Sequence, residues 1–324
     1  MEGTVISSTG NWYEVKAGDN NVYFCKVKGN FRLKGVKTTN PVAVGDCVNF
    51  DYDAQISTGL PEIRGGWITA VGERRNCIIR KSVNLSKQTH IIAANIDKAF
   101  LVAGLTKPHT PQGFIDRFLA TGEAYHVPVC LVFNKSDLWN EAEYSLFAEY
   151  RKIYAEAGYE VLSTSVFSKE GMEALKERMK DRTCLFAGNS GVGKSALIHC
   201  LEPTMDIRIG EISATHQKGK HTTTYARMYP LSFGGYIVDT PGVKEFGMVR
   251  FKTDELSRYF PEMRAIGNQC RFGNCTHEHE PGCAVKEAVA DGRISSLRYN
   301  SYLNILHGDE VPVPGLIDNK NEKK

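Results

Sequence analysis

Short β-rich stretches separated by turn residues occupy the first seventy positions. Thr4–Ser7, Trp12–Lys16, Val22–Val27, Val48–Tyr52 and Gly66–Val71 carry the β-branched and aromatic residues that suit strands. Gly18–Asn21, Gly29-Asn30 and Gly45-Asp46 punctuate them as turns. Five strands in so few residues predict a small all-β barrel, and an OB-fold and an SH3-like barrel both satisfy that count. Past residue 90 the pattern changes. Lys98–Ala103, Val129–Phe133, Cys184–Ala187 and Tyr236–Val238 are continuous apolar runs, as expected of parallel strands covered on both faces. Between them Gln112–Ala124, Glu141–Ala157, Gly171–Met179 and Lys194–Leu201 read as helices. That alternation predicts a doubly wound α/β domain. Residues 249–324 read as polar helices around a Cys/His cluster, and the charged tail Asp318–Lys324 is expected to be disordered. The expected fold class is multidomain α/β: a barrel over 1–72, a basic linker over 73–90, an α/β domain over 91–248 and a helical domain over 249–324.

A length of 324 residues suits two or three domains. With 42% hydrophobic and 24% charged residues, the composition excludes wholesale disorder, a collagen-like chain and a coiled coil. The N-terminus has no signal-peptide pattern, and the apolar run Ala99–Leu105 is far too short to span a membrane. The expectation is a cytoplasmic protein with no membrane partner. Nine cysteines, an odd number, do not suggest a disulfide framework there. The net charge of +3 is small, but its surplus is local: residues 73–90 hold Arg74, Arg75, Arg80, Lys81 and Lys87 against Glu73. Such a run is either a solvated linker or a strip that contacts phosphates.

Four motifs carry chemistry. Gly188-Asn189-Ser190-Gly191-Val192-Gly193-Lys194-Ser195, with Ala196 behind it, follows an apolar strand and opens a helix. This is the P-loop pattern: backbone N–H groups wrap the phosphates, Lys194 reaches the β and γ phosphates, and Ser195 holds Mg²⁺. Asp239-Thr-Pro-Gly242 ends another strand. There Asp239 holds Mg²⁺ through water and the Gly242 N–H senses the γ-phosphate. Asn134-Lys135-Ser136-Asp137 selects guanine, because the Asp137 carboxylate accepts the ring N–H and the exocyclic amine together, so GTP is favoured over ATP. Ser163-Thr164-Ser165 is placed to supply backbone contacts to the base. These motifs come in an unusual order, with the guanine selector some fifty residues before the P-loop. The domain therefore reads as circularly permuted, with its new C-terminal end beside Asp239–Gly242.

Ile212–Thr224 is a polar stretch with the character of a switch loop that closes over Mg²⁺·GTP. One of Thr222–Thr224 is expected to ligate the metal, and Thr223 is preferred. Val243 stands where a water-orienting glutamine often follows such a motif, so His221 or His216 is a candidate to orient or deprotonate water. Cys270, Cys275, His277 and Cys283 form a Cys₃His set within 14 residues, a structural zinc pattern, with His279 as a spare ligand. Three function classes meet these motifs: a GTP hydrolase, a binding protein whose conformation GTP sets, and a P-loop kinase or ATPase. Asn134–Asp137 opposes the last.

In combination and order, these residues resemble the circularly permuted ribosome-assembly GTPases of the RsgA (YjeQ) family. The resemblance also covers Val44-Gly45-Asp46, Ile92–Asp97 and His221–Thr224. It implies an N-terminal OB-fold barrel, a permuted P-loop GTPase and a C-terminal zinc domain. It further implies late maturation of the small ribosomal subunit; a monomer is expected. Both flanking domains would contact rRNA, and the subunit would stimulate a weak GTPase. The family's catalytic histidine falls on His221.

Overall fold

The computed structural model describes residues 1–28, 41–53, 64–81, 89–205, 226–239 and 251–308. Its first five strands are β1 (Glu2–Ser8), β2 (Tyr13–Ala17), β3 (Val22–Val27), β4 (Cys47–Tyr52) and β5 (Arg64–Val71). They run in the order β1-β2-β3-β5-β4, and β4 returns to pair with β1, closing a barrel. β3 and β5 run parallel, and the other pairs are antiparallel. This closed order separates the two barrels that strand count left open, and it is that of an OB-fold. Along β2, Tyr13, Val15 and Ala17 point inward and Glu14 and Lys16 are less buried, the period-two pattern of a half-buried strand.

Within the stretch read as a basic linker, Cys77–Lys81 forms β6 and pairs antiparallel with β7 (Thr89–Ala94) as a separate two-stranded sheet. The apolar core of β6 is too short to register beside the flanking charges, and most of its partner strand lies beyond residue 90.

The α/β domain continues with β8 (Lys98–Ala103), β9 (Val129–Asn134), β10 (Glu160–Thr164), β11 (Thr183–Ala187), β12 (Arg227–Pro230) and β13 (Tyr236–Asp239). The spatial order is β10-β9-β8-β11-β13-β12, parallel throughout except for β12. Helices α1 (Gln112–Tyr125), α2 (Glu141–Glu156), α3 (Met172–Met179) and α4 (Lys194–Leu201) alternate with the strands in sequence. The continuous apolar runs serve two cores at once. Ala99, Leu101 and Ala103 of β8 join one cluster, while Phe100 and Val102 join the other.

Two joints tie the flanking domains to this sheet. At the first, Asp46 is fully buried and accepts Arg74 Nε and Nη2, each at 2.6 Å, and the Ala43 N–H at 2.8 Å. Gly45 beside it has φ +91°, and a Cβ there would lie 2.0 Å from the Ala94 carbonyl oxygen, so only glycine fits. Asn95 Nδ2 donates to the Gly45 carbonyl at 2.9 Å. The sheets also merge: β1 pairs with β12, Ser7 opposite Arg227.

The second joint holds α5 (Pro261–Ile266), α6 (Ala284–Ala290) and α7 (Ser296–Leu306). Their core of Leu256, Phe260, Met263, Val285 and Tyr302 takes in Ala120 from α1. Arg298 of α7 is 1% exposed. Its Nη1 donates to Asp116 on α1 at 2.7 Å, and its Nε and Nη2 donate to Glu262 at 2.8 and 3.0 Å. No described helix is long and apolar enough to cross a membrane. The tail 318–324 lies outside the described residues.

Candidate functional site

The P-loop runs from the end of β11 into α4, as its sequence context predicts. Gly193 caps α4 with φ +100°, and a Cβ there would meet Asn134 Nδ2 at 2.3 Å. That close approach brings the two motifs together. Asn134 Nδ2 donates to the Val192 carbonyl at 2.9 Å, and Lys135 Nζ donates to the Gly191 carbonyl at 2.7 Å. Lys194 Nζ donates to the Gly188 and Asn189 carbonyls at 2.8 and 2.9 Å, so its charge stands at the mouth of the loop. Asn189 is itself buried, and its Nδ2 has no hydrogen-bond partner among the described residues. Ser190, Ser195 and Ala196 complete the turn and the first residues of α4. The N-terminal N–H groups of that helix favour an anion.

The two loops expected to meet the base lie at the C-terminal ends of β9 and β10, which are adjacent and parallel. Thr164 Oγ1 donates to Asn134 Oδ1 at 3.0 Å, and Ser165 Oγ donates to Asp137 Oδ1. The same Ser165 Oγ accepts the N–H groups of Phe167 and Ser168, each at 3.1 Å. Asp137 remains exposed at the loop's edge, where a base can reach it. Two expected ligand groups turn out to be occupied by a residue that no motif contains. Glu170 accepts Ser136 Oγ at 2.7 Å on one carboxylate oxygen and Ser163 Oγ at 2.6 Å on the other. Nothing in the local sequence singles out Glu170; it follows Ser163 by seven residues, and the pairing of β9 with β10 brings Ser136 beside it.

Asp239 ends β13, next to β11, with Leu185 opposite Val238. Asp239 therefore lies at the sheet end where β11 runs into the P-loop and α4, the helix that carries Ser195; a carboxylate and a hydroxyl are oxygen ligands of the hard type that Mg²⁺ takes. Burial pushes the Asp239 carboxyl above the usual aspartate range, so a cation there would relieve an unfavourable charge. His216, His221, Thr222–Thr224, Gly242 and Val243 lie outside the described residues.

In the C-terminal domain, the ligand atoms of Cys270, Cys275, His277 and Cys283 all lie within 4.8 Å of one another. Cys270 Sγ and Cys283 Sγ are 3.9 Å apart, and His277 Nδ1 lies 3.5 and 3.4 Å from them. A zinc tetrahedron with bonds of about 2.0–2.3 Å sets its ligand atoms roughly 3.5–3.8 Å apart, so this set fits that ion. His279 is turned away, its side chain 87% exposed beside Glu278, and drops out as a ligand. Burial lowers the His277 imidazole and pushes the Cys275 thiol up to about 12. Neutral imidazole is the form a metal needs, whereas the thiols must lose protons to it. Outside the ligands, Tyr299 OH donates to the His277 carbonyl and Tyr302 OH to the Thr276 carbonyl, each at 2.6 Å, tying the ligand turn to α7.

The basic stretch divides. Arg74 is spent on Asp46 and is not free for phosphate, while Arg75 pairs with Asp97 at 2.7 Å with its side chain 64% exposed. The side chains of Arg80, Lys81 and Lys87 are outside the described set. A cleft of about 580 Å³ opens elsewhere, between Lys16, Cys47 and Tyr236; it holds no motif residue.

Residues 71–249 match the RsgA GTPase family model, and residues 2–58 match the RsgA N-terminal domain. A relative from Flavobacterium psychrophilum, a small ribosomal subunit biogenesis GTPase RsgA, is 49% identical over 96% of this chain and 94% of its own length. Another of the same name from Bacteroides fragilis is 47% identical over 96% of this chain and 97% of its own. Among solved structures, YjeQ from Thermotoga maritima superposes with a TM-score of 0.75 and 32% identity, covering 95% of this chain and 97% of that one. YloQ, a circularly permuted GTPase, gives 0.71 and 28% over 95% and 94%.

Proposed function

This chain belongs to the RsgA family of circularly permuted GTPases and is a GTP hydrolase; on that premise we propose that it acts in late maturation of the small ribosomal subunit. In this reading the OB barrel and the Cys/His domain bind rRNA, and docking on the subunit stimulates hydrolysis. The protein works as a cytoplasmic monomer that cycles between GTP and GDP. The observation that carries the nucleotide part is the contact of Asn134 Nδ2 with the Val192 carbonyl, which joins guanine selector and phosphate loop at one sheet end. The ribosomal part is carried by the relatives' names and by a barrel of the class that binds oligonucleotides.

The residue roles follow from the chemistry. Asn134–Asp137 and Ser163–Ser165 hold guanine, with Asp137 accepting its two N–H donors. Gly188–Ala196 wrap the phosphates, and Lys194 neutralises the β and γ oxygens. Ser195, Thr223 and Asp239 would hold Mg²⁺, which supplies charge neutralisation between the phosphates. The Gly242 N–H reads the γ-phosphate. His221 orients or deprotonates the attacking water, since Val243 has no group to do so. Cys270, Cys275, His277 and Cys283 hold one structural Zn²⁺.

The test is GTP turnover with and without purified small subunits. We expect marked stimulation for the wild type. His221→Ala should lose that stimulation while its GTP affinity stays within about threefold, a change below 1 kcal/mol. Absence of stimulation in the wild type would overturn the ribosomal reading, and full turnover by His221→Ala would remove the histidine from catalysis.

A further inference from the structure

Resting on the GTP reading above, we propose that Glu170 is a positioning residue that clamps the two guanine-facing loops together and so sets nucleotide affinity. Its two carboxylate oxygens reach different segments: Oε2 accepts Ser136 Oγ of the β9 loop at 2.7 Å and Oε1 accepts Ser163 Oγ near the end of β10 at 2.6 Å. The Glu170 backbone adds a third tie, its carbonyl accepting the Ser165 N–H at 3.0 Å. Ser136 precedes Asp137, whose carboxylate must meet the base edge. Ser163 precedes Thr164, which anchors Asn134. One carboxylate therefore spans the segments on both sides of the base site through two motif hydroxyls, without touching the Asp137 carboxylate that meets the base edge.

Loops at strand ends are held by few backbone bonds, and here those bonds run within each loop, while the ties to the P-loop come from the Asn134 and Lys135 side chains. Besides Thr164–Asn134 and Ser165–Asp137, the Glu170 bridge is what links the β9 loop to the β10 loop among the described side chains. Without it, Asp137 samples more positions, and each productive base contact then costs ordering entropy. The loss should fall on binding and leave the phosphate chemistry unchanged, because the P-loop contacts do not involve Glu170.

The experiment measures GDP affinity by fluorescent-nucleotide titration and GTP turnover by steady-state kinetics, on the full chain. Glu170→Ala should weaken GDP binding and raise KM for GTP by about tenfold, the scale of losing one to two hydrogen bonds, with kcat within twofold. Glu170→Gln can still span the two hydroxyls, accepting from one and donating to the other, and should stay within about threefold of wild type. A Ser136→Ala/Ser163→Ala protein should reproduce the Glu170→Ala loss, and adding Glu170→Ala to it should change little further. Unchanged GDP affinity in Glu170→Ala overturns the clamp, as does full additivity with the serine pair. A fall in kcat at constant KM also overturns it. Wild-type protein that does not bind GDP overturns the GTP reading and the clamp with it, so the two failures are distinct.

Discussion

Arg74 and Arg75 are adjacent, carry the same charge and do different work. Arg74 is paired in a fork with a carboxylate that has no exposure, whereas most of Arg75 faces solvent. Removing one partner of a buried ion pair strands the other. Arg74→Ala should therefore cost about 3–5 kcal/mol of unfolding stability. Arg75→Ala should cost about 0–1 kcal/mol, as exposed pairs do. Equal midpoints for the two variants in a denaturant titration would contradict the assignment. It follows that any test of RNA contact by the basic stretch must spare Arg74. Neutralising Arg75, Arg80, Lys81 and Lys87 should weaken subunit binding and flatten its salt dependence if the strip meets phosphates. Both arginines are equally visible in the sequence; burial, which separates them, depends on Asp46 arriving from 28 residues away.

Elements in the C-terminal domain are short, and α5 and α6 span only 6 and 7 residues. Helices of that length do not hold themselves in water. Their stability comes from the small core around Phe260 and Tyr302 and from the turn that Cys270, Cys275, His277 and Cys283 close. With Cys270→Ser or strong chelation, bound zinc should fall from one per chain to none. Amide exchange protection over Ala284–Leu306 should then fall, while β8, β9 and β11 keep theirs. Full protection of that segment in the metal-free protein would show that the ion is dispensable for folding. The same scale explains which elements were legible. β8 and β9 stand out because both their faces are covered: every position is buried, and all are apolar except Lys98 and Asn134 at one end of each. β6 and β7 did not, because a two-stranded sheet of mixed residues owes its existence to what packs beside it. The P-loop helix was legible for a chemical reason: its glycines and lysine serve phosphate geometry.

Across the whole molecule, the GTPase sheet is held from both sides. The barrel pairs with β12, the strand that follows the switch stretch, while the Cys/His domain packs on α1 through Arg298. Burial opposes the Asp116 charge and raises its carboxyl, and Arg298 works against that shift. Arg298→Met leaves Asp116 and Glu262 facing each other with no cation. The expected loss is about 3–5 kcal/mol, with α7 more open to protease. GDP affinity should stay within about threefold, since α1 lies outside the nucleotide loops. A large loss of GDP affinity would instead make this joint part of the nucleotide site.

The sequence by itself determined the chemistry and its order along the chain. P-loop, Asn-Lys-Ser-Asp run and Cys₃His set are each a local run whose spacing matches the geometry of one kind of ligand, so they are readable without a fold. Their order alone also exposed the circular permutation. The strand pattern left the barrel type open, resemblance alone pointed to an OB-fold, and the tertiary structure decided it, because closure is a pairing of β1 with β4 across more than forty residues. It likewise decided that Arg74 is structural, that His279 turns away from the ligand set and that Glu170 bridges Ser136 and Ser163. Each of these depends on which distant segments become neighbours, and that is settled by packing and strand order rather than by any residue's own preference.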